Sequence, residues 1–382
     1  MLVVAGILYL LLTNLGSEDA SVDSSSALSE NTTNTGSDTS QSQQTKEYLR
    51  IAAMGDMLPH ETLNHRAQVS GSTYDYLQFL DQVSTKLDGS DIVFCNQESP
   101  SAGEAFGISG YPSFNAPQKF SQDLNEFGCN VINLANNHVA DKGQAAINET
   151  LTIWDSLDVL AVAGANRSKA QQDTISYFEH SGKKFAFIAF TDLSNNTAID
   201  GYSINMFSAE LTSALAKEAS ANADYVIASA HWGIEDSPSV SDSQRNWATL
   251  LANNGVDLVL GTGPHVLQPV EKIGDTIVFY SLGNFLSTQL TIEQLTGGIA
   301  YIDIPISGGE PKLSFVPTYM GYTWTAEQEL AQDLLSRDDL DVYPLSEAAD
   351  QIERSLFETT VQEQISRITN LLNSSAEVQI LP

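Results

Sequence analysis

The segment Val131–Gly143, VINLANNHVADKG, opens as an apolar strand. It then sets Asn133, Asn136, Asn137, His138 and Asp141 close together and ends on a glycine. A capped turn explains most strings of this kind, because Asn and Asp side chains bond nearby backbone and favour turns and helix N-caps. The sharper reading is a metal or catalytic site at a strand end. The chain has only six histidines, so the choice depends on where the other polar residues fall.

Working outward, short apolar runs rich in Val, Ile, Phe and Tyr recur from Tyr48 onward: YLRIAAMG, DIVFCN, CNVINLA, VLAVAG, KFAFIAFT, DYVIASAHW, VDLVLG, TIVFYSLG, GIAYIDIPI and KLSFVPTY. Such runs read as strands. Amphipathic stretches lie between many of them. QAAINETLTIWDSL places Ala146, Ile147, Thr150, Leu151 and Trp154 on one helical face, and SDSQRNWATLLANNG ends on Gly255. Strand–helix alternation implies a parallel-rich α/β sheet. From about 276 to 320 strand follows strand, which predicts an antiparallel section, and 325–372 reads as helical and acidic with a break near Pro344.

In open α/β sheets, ligands bind beyond the carboxyl ends of the strands. The first polar residues after the apolar runs are Asp56 and His60; Asn96 and Glu98; Asn136, Asn137, His138 and Asp141; Asp192; His231 and Glu235; His265; and Asn284. Four of the six histidines fall just past a strand end. One such histidine is more often structural, and His65 and His180, in polar stretches, are read that way. Converging carboxylates and imidazoles need a cation between them to avoid repulsion or unpaired polar groups. His nitrogen with Asp/Glu oxygen suits Zn, Mn or Fe, and ligands without Cys favour a catalytic over a closed structural site.

The net charge is −31, from 17 Lys+Arg against 48 Asp+Glu. That surface repels nucleic acid and offers no polybasic membrane patch. Residues 1–16 form an apolar run short of the ~20 residues a membrane span needs, and read as a signal-peptide core or membrane anchor. Residues 17–46, Ser/Thr-rich and acidic, read as a disordered spacer. Cys95 and Cys129, placed at opposite ends of neighbouring parallel strands, would stand ~13 Å apart at ~3.3 Å per residue. A bridge needs Cα atoms within ~7 Å, so two buried thiols are expected.

The ordered set GDMLPH, NQESP, NLANNHVADKG, SAHWGIE, GTGPHVLQPVE and YSLGNF resembles the CapA family of capsule synthesis proteins, linked to poly-γ-glutamate and similar to calcineurin-like metallophosphoesterases. The likeness runs from about Leu49 to Tyr322. It implies a four-layer α/β/β/α sandwich, with residues 47–322 as the family domain and 323–382 as an acidic, mainly helical extension. It also implies a centre of two divalent ions (Mn, Zn or Fe) held by Asp56, His60, Glu98, Asn137, His231 and His265. His138 would be the proton donor, oriented by Asp141 or a neighbouring carboxylate. Asn96, Tyr111, Asn136 and Asn284 are assigned to substrate contact. The loop GISGYPSFNAP, with Tyr111 and Phe114, either lines the cleft or is an ordinary surface loop. Many relatives read HPH where this chain reads GPH, and Gly263 cannot ligate, which puts the second ion in doubt. The resemblance implies either a metal-dependent hydrolase or transferase acting on an anionic envelope polymer or small phosphoester, or a non-enzymatic capsule assembly or export factor with a degenerate site. Either would work at the extracellular face of the cell membrane, anchored or secreted, beside a membrane synthase.

Overall fold

The computed structural model describes residues 47–382. The expected leader and spacer lie outside them. No described helix is long and apolar enough to cross a membrane.

In chain order the strands are β1 (Tyr48–Met57), β2 (Gln68–Ser70), β3 (Thr73–Tyr74), β4 (Ile92–Gln97), β5 (Val131–Asn133), β6 (Ala161–Ala163), β7 (Ser176–His180), β8 (Lys183–Thr191), β9 (Tyr225–His231), β10 (Leu258–Thr262), β11 (Val270–Ile273), β12 (Thr276–Phe279), β13 (Asn284–Leu286), β14 (Thr296–Pro305), β15 (Lys312–Thr323), β16 (Asp338–Pro344) and β17 (Gln379–Ile380). One sheet runs β16-β15-β14-β1-β4-β5-β6, with β13 paired to the end of β1 and β17 to β15. The other runs β11-β12-β10-β9-β8-β7. The centres are parallel, and the β14–β15–β16 section is antiparallel.

The alternation of side chains along β8 explains the layers. Phe185, Phe187 and Ala189 point into the core shared with the first sheet, where Phe94 meets Phe187 at 6.1 Å. Ala186, Ile188 and Phe190 point the other way, onto Leu215, Ala216, Ala219, Ala248 and Leu251 of the helices Ala209–Asn222 and Asp242–Asn253. The far side of the first sheet carries α1 (Glu61–Ala67), α2 (Gln118–Phe127) and α3 (Gly143–Asp155), whose Leu63, Phe120, Leu124, Ile147 and Trp154 are buried. The order is helix, sheet, sheet, helix, as the resemblance implied.

Two expectations are corrected. Residues 325–372 are not all helical around a break, because β16 lies among them and extends the first sheet. Its Leu340, Val342 and Pro344 are buried in alternation with Asp341 and Tyr343, a period of two that follows two exposed Asp residues and reads poorly as a strand. And Cys95 and Cys129 are joined in a disulfide, with Cα atoms 5.8 Å apart. The strand β5 begins at Val131, which pairs with Phe94. Cys129 therefore lies before the strand, on the turn that ends α2. There its N–H donates to the Leu124 carbonyl (2.9 Å), after Gly128 at φ 123° reverses the chain. The extended-strand geometry that separated the sulfurs does not apply to a residue in a turn.

Candidate metal centre

Asp56 stands at the end of β1 because the chain beside it has no side chain: a Cβ on Gly55 would lie 1.8 Å from the Gly283 carbonyl oxygen. The Asp56 N–H donates to that oxygen at 2.9 Å. The Asp56 carboxylate accepts from Asn96 Nδ2 (2.7 Å) and meets His265 Nδ1 (3.0 Å). The backbone N–H of Gly263 reaches both of its oxygens, at 3.3 and 3.2 Å. Burial alone would raise this carboxyl's pKa; the His265 contact and the neighbouring donors hold it below the ordinary value.

Glu98 follows β4 and is fully buried. Its Oε2 is 3.4 Å from Asn96 Nδ2, while its Oε1 has no hydrogen-bond partner. Across from that oxygen lie His231 Nε2 (3.5 Å) and His265 Nε2 (3.8 Å). Burial, and then the charge of Asp56, push the Glu98 carboxyl well above its usual range. His231, at the end of β9, places Nδ1 3.0 Å from Thr262 Oγ1 and Nε2 3.1 Å from Asn137 Oδ1. Burial pulls its pKa down to about 3, so the ring is neutral and free to ligate. His265 goes the other way: burial lowers it, but the bond to Asp56 outweighs burial and raises it. Asn284 Oδ1 braces the same ring nitrogen at 3.1 Å. His265 holds this position at φ 61°, a backbone strain uncommon outside glycine and often found at functional sites.

Asp56, Glu98 and His231 each present a ligand atom within 4.8 Å of the others. Two adjacent buried carboxylates, one with an unpartnered oxygen, are the situation a divalent cation resolves. The donors are oxygen and imidazole nitrogen, which suits Zn, Mn or Fe. The residues present fit such an ion.

His138 lies beside this group. Its Nδ1 is 2.7 Å from Asp141 Oδ2, and that oxygen also accepts the Phe114 N–H at 2.7 Å. The Phe114 ring packs edge-on against His138 at 4.5 Å.

Asp56, Glu98, Asn137, His138, His231 and His265 thus meet where strand ends of the two sheets come together, the first four from β1, β4 and β5 and the last two from β9 and β10. His60 is near but set apart. Its ring touches Phe114 at 5.3 Å, Thr288 N approaches its Nδ1 at 3.4 Å, and burial with the charges of His265 and Arg337 lowers its pKa to about 3.

Three of the residues assigned to substrate contact are occupied within the protein. Asn96 bridges Asp56 and Glu98 and accepts from Asn133 Nδ2 (2.8 Å). Asn136 donates to the Gln97 carbonyl and caps the His138 and Val139 N–H groups. Asn284 donates to Gln289 and Gln294 as well as bracing His265. Each buried amide is held by internal bonds, which fix the positions of the metal-centre residues beside it. Tyr111 is 74% exposed, and the buried aromatic at the site is Phe114.

Sequence reasoning missed Asn133, Thr262 and Asn195. Asn195 lies 3.2 Å from His138 Nδ1, and its N–H donates to the Asn137 carbonyl (2.9 Å). Asn133 lay within the opening motif. Thr262 ends a strand just before GPH, a position the strand-end rule could have included. Asn195 sits in a polar loop and gives no local signal.

Residues 50–289 match the family model described as bacterial capsule synthesis protein PGA_cap. The chain is 35% identical over 171 residues to the PGA biosynthesis protein CapA of Bacillus subtilis (strain 168), covering 44% of each. It is 29% identical over 256 residues to the capsule biosynthesis protein CapA of Bacillus anthracis, covering 64% of this chain and 61% of that one. The matches therefore span less than two thirds of either relative's length. A crystal structure of TT1561 from Thermus thermophilus overlays 70% of this chain and 98% of its own with a TM-score of 0.41 at 10% identity.

Proposed function

Because the chain belongs to the bacterial capsule synthesis protein family PGA_cap, we propose that it is a metal-dependent hydrolase or transferase acting on an envelope polymer or phosphoester. The observation that carries this reading is Glu98 Oε1, buried without a partner and facing the nitrogens of His231 and His265. Asp56, Glu98 and His231 would hold the ion, with Asn137 and His265 completing its surroundings. A divalent ion there supplies Lewis acidity and lowers the pKa of a water.

The chain's own residues do the rest. Asn96 keeps the two carboxylates apart and oriented. Asp141, fixed by the Phe114 N–H, accepts from His138 Nδ1 and leaves Nε2 as the position that gives or takes a proton. Phe114 screens one edge of that ring from water. Position on the outer face of the membrane is part of the same proposal. The Cys95–Cys129 disulfide supports it, because such bonds persist in oxidising compartments.

The test is direct. The purified protein is dialysed against Mn or Zn, its bound metal is counted, and phosphoesters, peptidoglycan fragments and γ-glutamyl polymer are screened. Metal uptake lost in Glu98→Gln, with turnover lost in His138→Ala, is the expected result. Absence of metal from the wild type would sink the reading. It would favour instead a non-enzymatic assembly or export factor, for which the missing side chain at Gly263 is the specific observation.

A further inference from the structure

Asn195 is an exposed residue on the loop after β8, and its side chain reaches the His138 ring. Its Nδ2 stands 3.2 Å from His138 Nδ1 and 3.4 Å from Nε2. An atom in the ring plane at those distances from both nitrogens would collide with a ring carbon. The amide therefore lies out of that plane, against the face of the imidazole. Asp141 Oδ2 already occupies Nδ1 at 2.7 Å, and the Phe114 ring meets His138 at 70°. A carboxylate, an aromatic ring and the Asn195 amide thus converge on one side chain.

The loop is tied down on both sides of Asn195. The Asp192 N–H donates to the His231 carbonyl (3.0 Å), and Asp192 Oδ2 accepts the Gly233 N–H (3.1 Å). Further on, Asn196 Nδ2 donates to the Ala140 carbonyl (2.8 Å). At Asn195 itself the backbone N–H donates to the Asn137 carbonyl (2.9 Å). The loop is therefore bonded to the same segment, 137–140, that carries His138. None of these bonds uses the Asn195 side chain. A turn Asn usually bonds its own backbone two residues on, and Asn196 does so, its Oδ1 accepting the Ala198 N–H at 2.9 Å. Asn195 turns its amide on His138 instead.

The Asp141 bond fixes Nδ1, but a ring held at one nitrogen can still swing the other. A proton donor must stay within hydrogen-bond reach of the atom it serves, and misplacement by ~1 Å can cost about 100-fold in rate. We propose that Asn195 is a positioning residue for proton donation, its amide holding the His138 ring so that Nε2 faces the leaving atom of the substrate. This role rests on the assignment of His138 as proton donor above. As the bond to the leaving oxygen or nitrogen breaks, that atom keeps the electron pair and takes the proton from His138 Nε2. The oxygen of one water bonds to the phosphorus or carbonyl carbon, and the proton it releases restores His138. A leaving group stable as an anion needs that proton little, and a basic one needs it most.

The experiment uses the full chain dialysed against Mn. Bound metal and melting temperature are measured for the wild type, Asn195→Ala, His138→Ala and the double variant. Then kcat and KM are measured on two matched pairs: 4-nitrophenyl and phenyl phosphate, and γ-glutamyl-4-nitroanilide and γ-glutamylanilide. Asn195→Ala should bind metal and melt as the wild type does, because it deletes an exposed side chain that holds none of the loop's bonds. Its kcat should fall about 10–100-fold on the phenyl ester or the plain anilide and much less on the nitro partner, with KM little changed. Adding it to His138→Ala should cost nothing further, because the two side chains act as a unit. An equal loss on both members of a pair, an additive double variant, or a metal or melting defect in Asn195→Ala overturns the proposal. Turnover that His138→Ala leaves intact overturns it together with the proton-donor assignment, and metal uptake without turnover of either pair overturns it as well. A wild type that takes up no metal overturns the hydrolase reading beneath it.

Discussion

Removing the Cys95–Cys129 bond should cost the protein about 4 kcal/mol. The bond closes a loop between residues 34 apart in sequence. In the chain-entropy treatment, a loop of that length withholds roughly 13 cal/mol/K from the unfolded ensemble, which is about 4 kcal/mol at 25 °C. Both cysteines are fully buried, so replacing them with alanine also leaves small voids worth up to about 1 kcal/mol each. Unfolding entropy of about 2.1 cal/mol/K per residue makes 1 kcal/mol equal to roughly 1.4 °C in a domain of this size. The double variant Cys95→Ala/Cys129→Ala should therefore melt about 5–8 °C lower. Calorimetry without reductant, with urea titration at 25 °C as a second measure, reads the effect. Thiol titration of the denatured, unreduced wild type should find no free thiol. Two free thiols, or a double variant melting within a degree of the wild type, would refute the reasoning.

Three further outcomes follow from the same geometry. Glu98→Gln removes a buried charge beside Asp56, so the metal-free variant should be more stable by about 1–3 kcal/mol, while the rise in Tm on adding Mn should disappear; a retained rise would count against Glu98 as a ligand. Thr262→Val preserves shape but deletes the partner of His231 Nδ1, and competition against a chromophoric chelator should show metal affinity lowered about 10–100-fold, with equal affinity ruling out the bracing role. Burial raises the Asp341 carboxyl from 3.8 to about 6, so the stability of its protonated form is complete below pH 3.8 and is lost as pH rises through about 6. Asp341→Asn should then be more stable than the wild type at pH 8 by roughly 1–2 kcal/mol, after discounting for partial exposure, and equal to it near pH 4; urea titrations at both values decide.

Much of the centre was legible because strand ends announce themselves. Asp56, Glu98, Asn137, His138, His231 and His265 each follow an apolar run, and the strand ends of the two packed sheets gather such residues whatever their distance in sequence. The family motifs lie on those same ends. The alternation of apolar runs and amphipathic stretches likewise fixed the α/β class, since burial on both faces demands that pattern.

What the chain could not declare alone was the use of each polar group. Asn96, Asn136 and Asn284 sit at strand ends, and their hydrogen bonds to Asp56, Gln97 and His265 join them to groups that the sequence alone does not pair. The period-two burial of β16 was masked by its acidic residues. The pairing of Cys95 with Cys129 depended on a turn at Gly128, which redirects the chain before β5 begins. Local sequence sets which groups a segment carries and which way its side chains alternate. Which distant group completes each bond is set by how sheets and loops pack together, and only the folded chain contains that information.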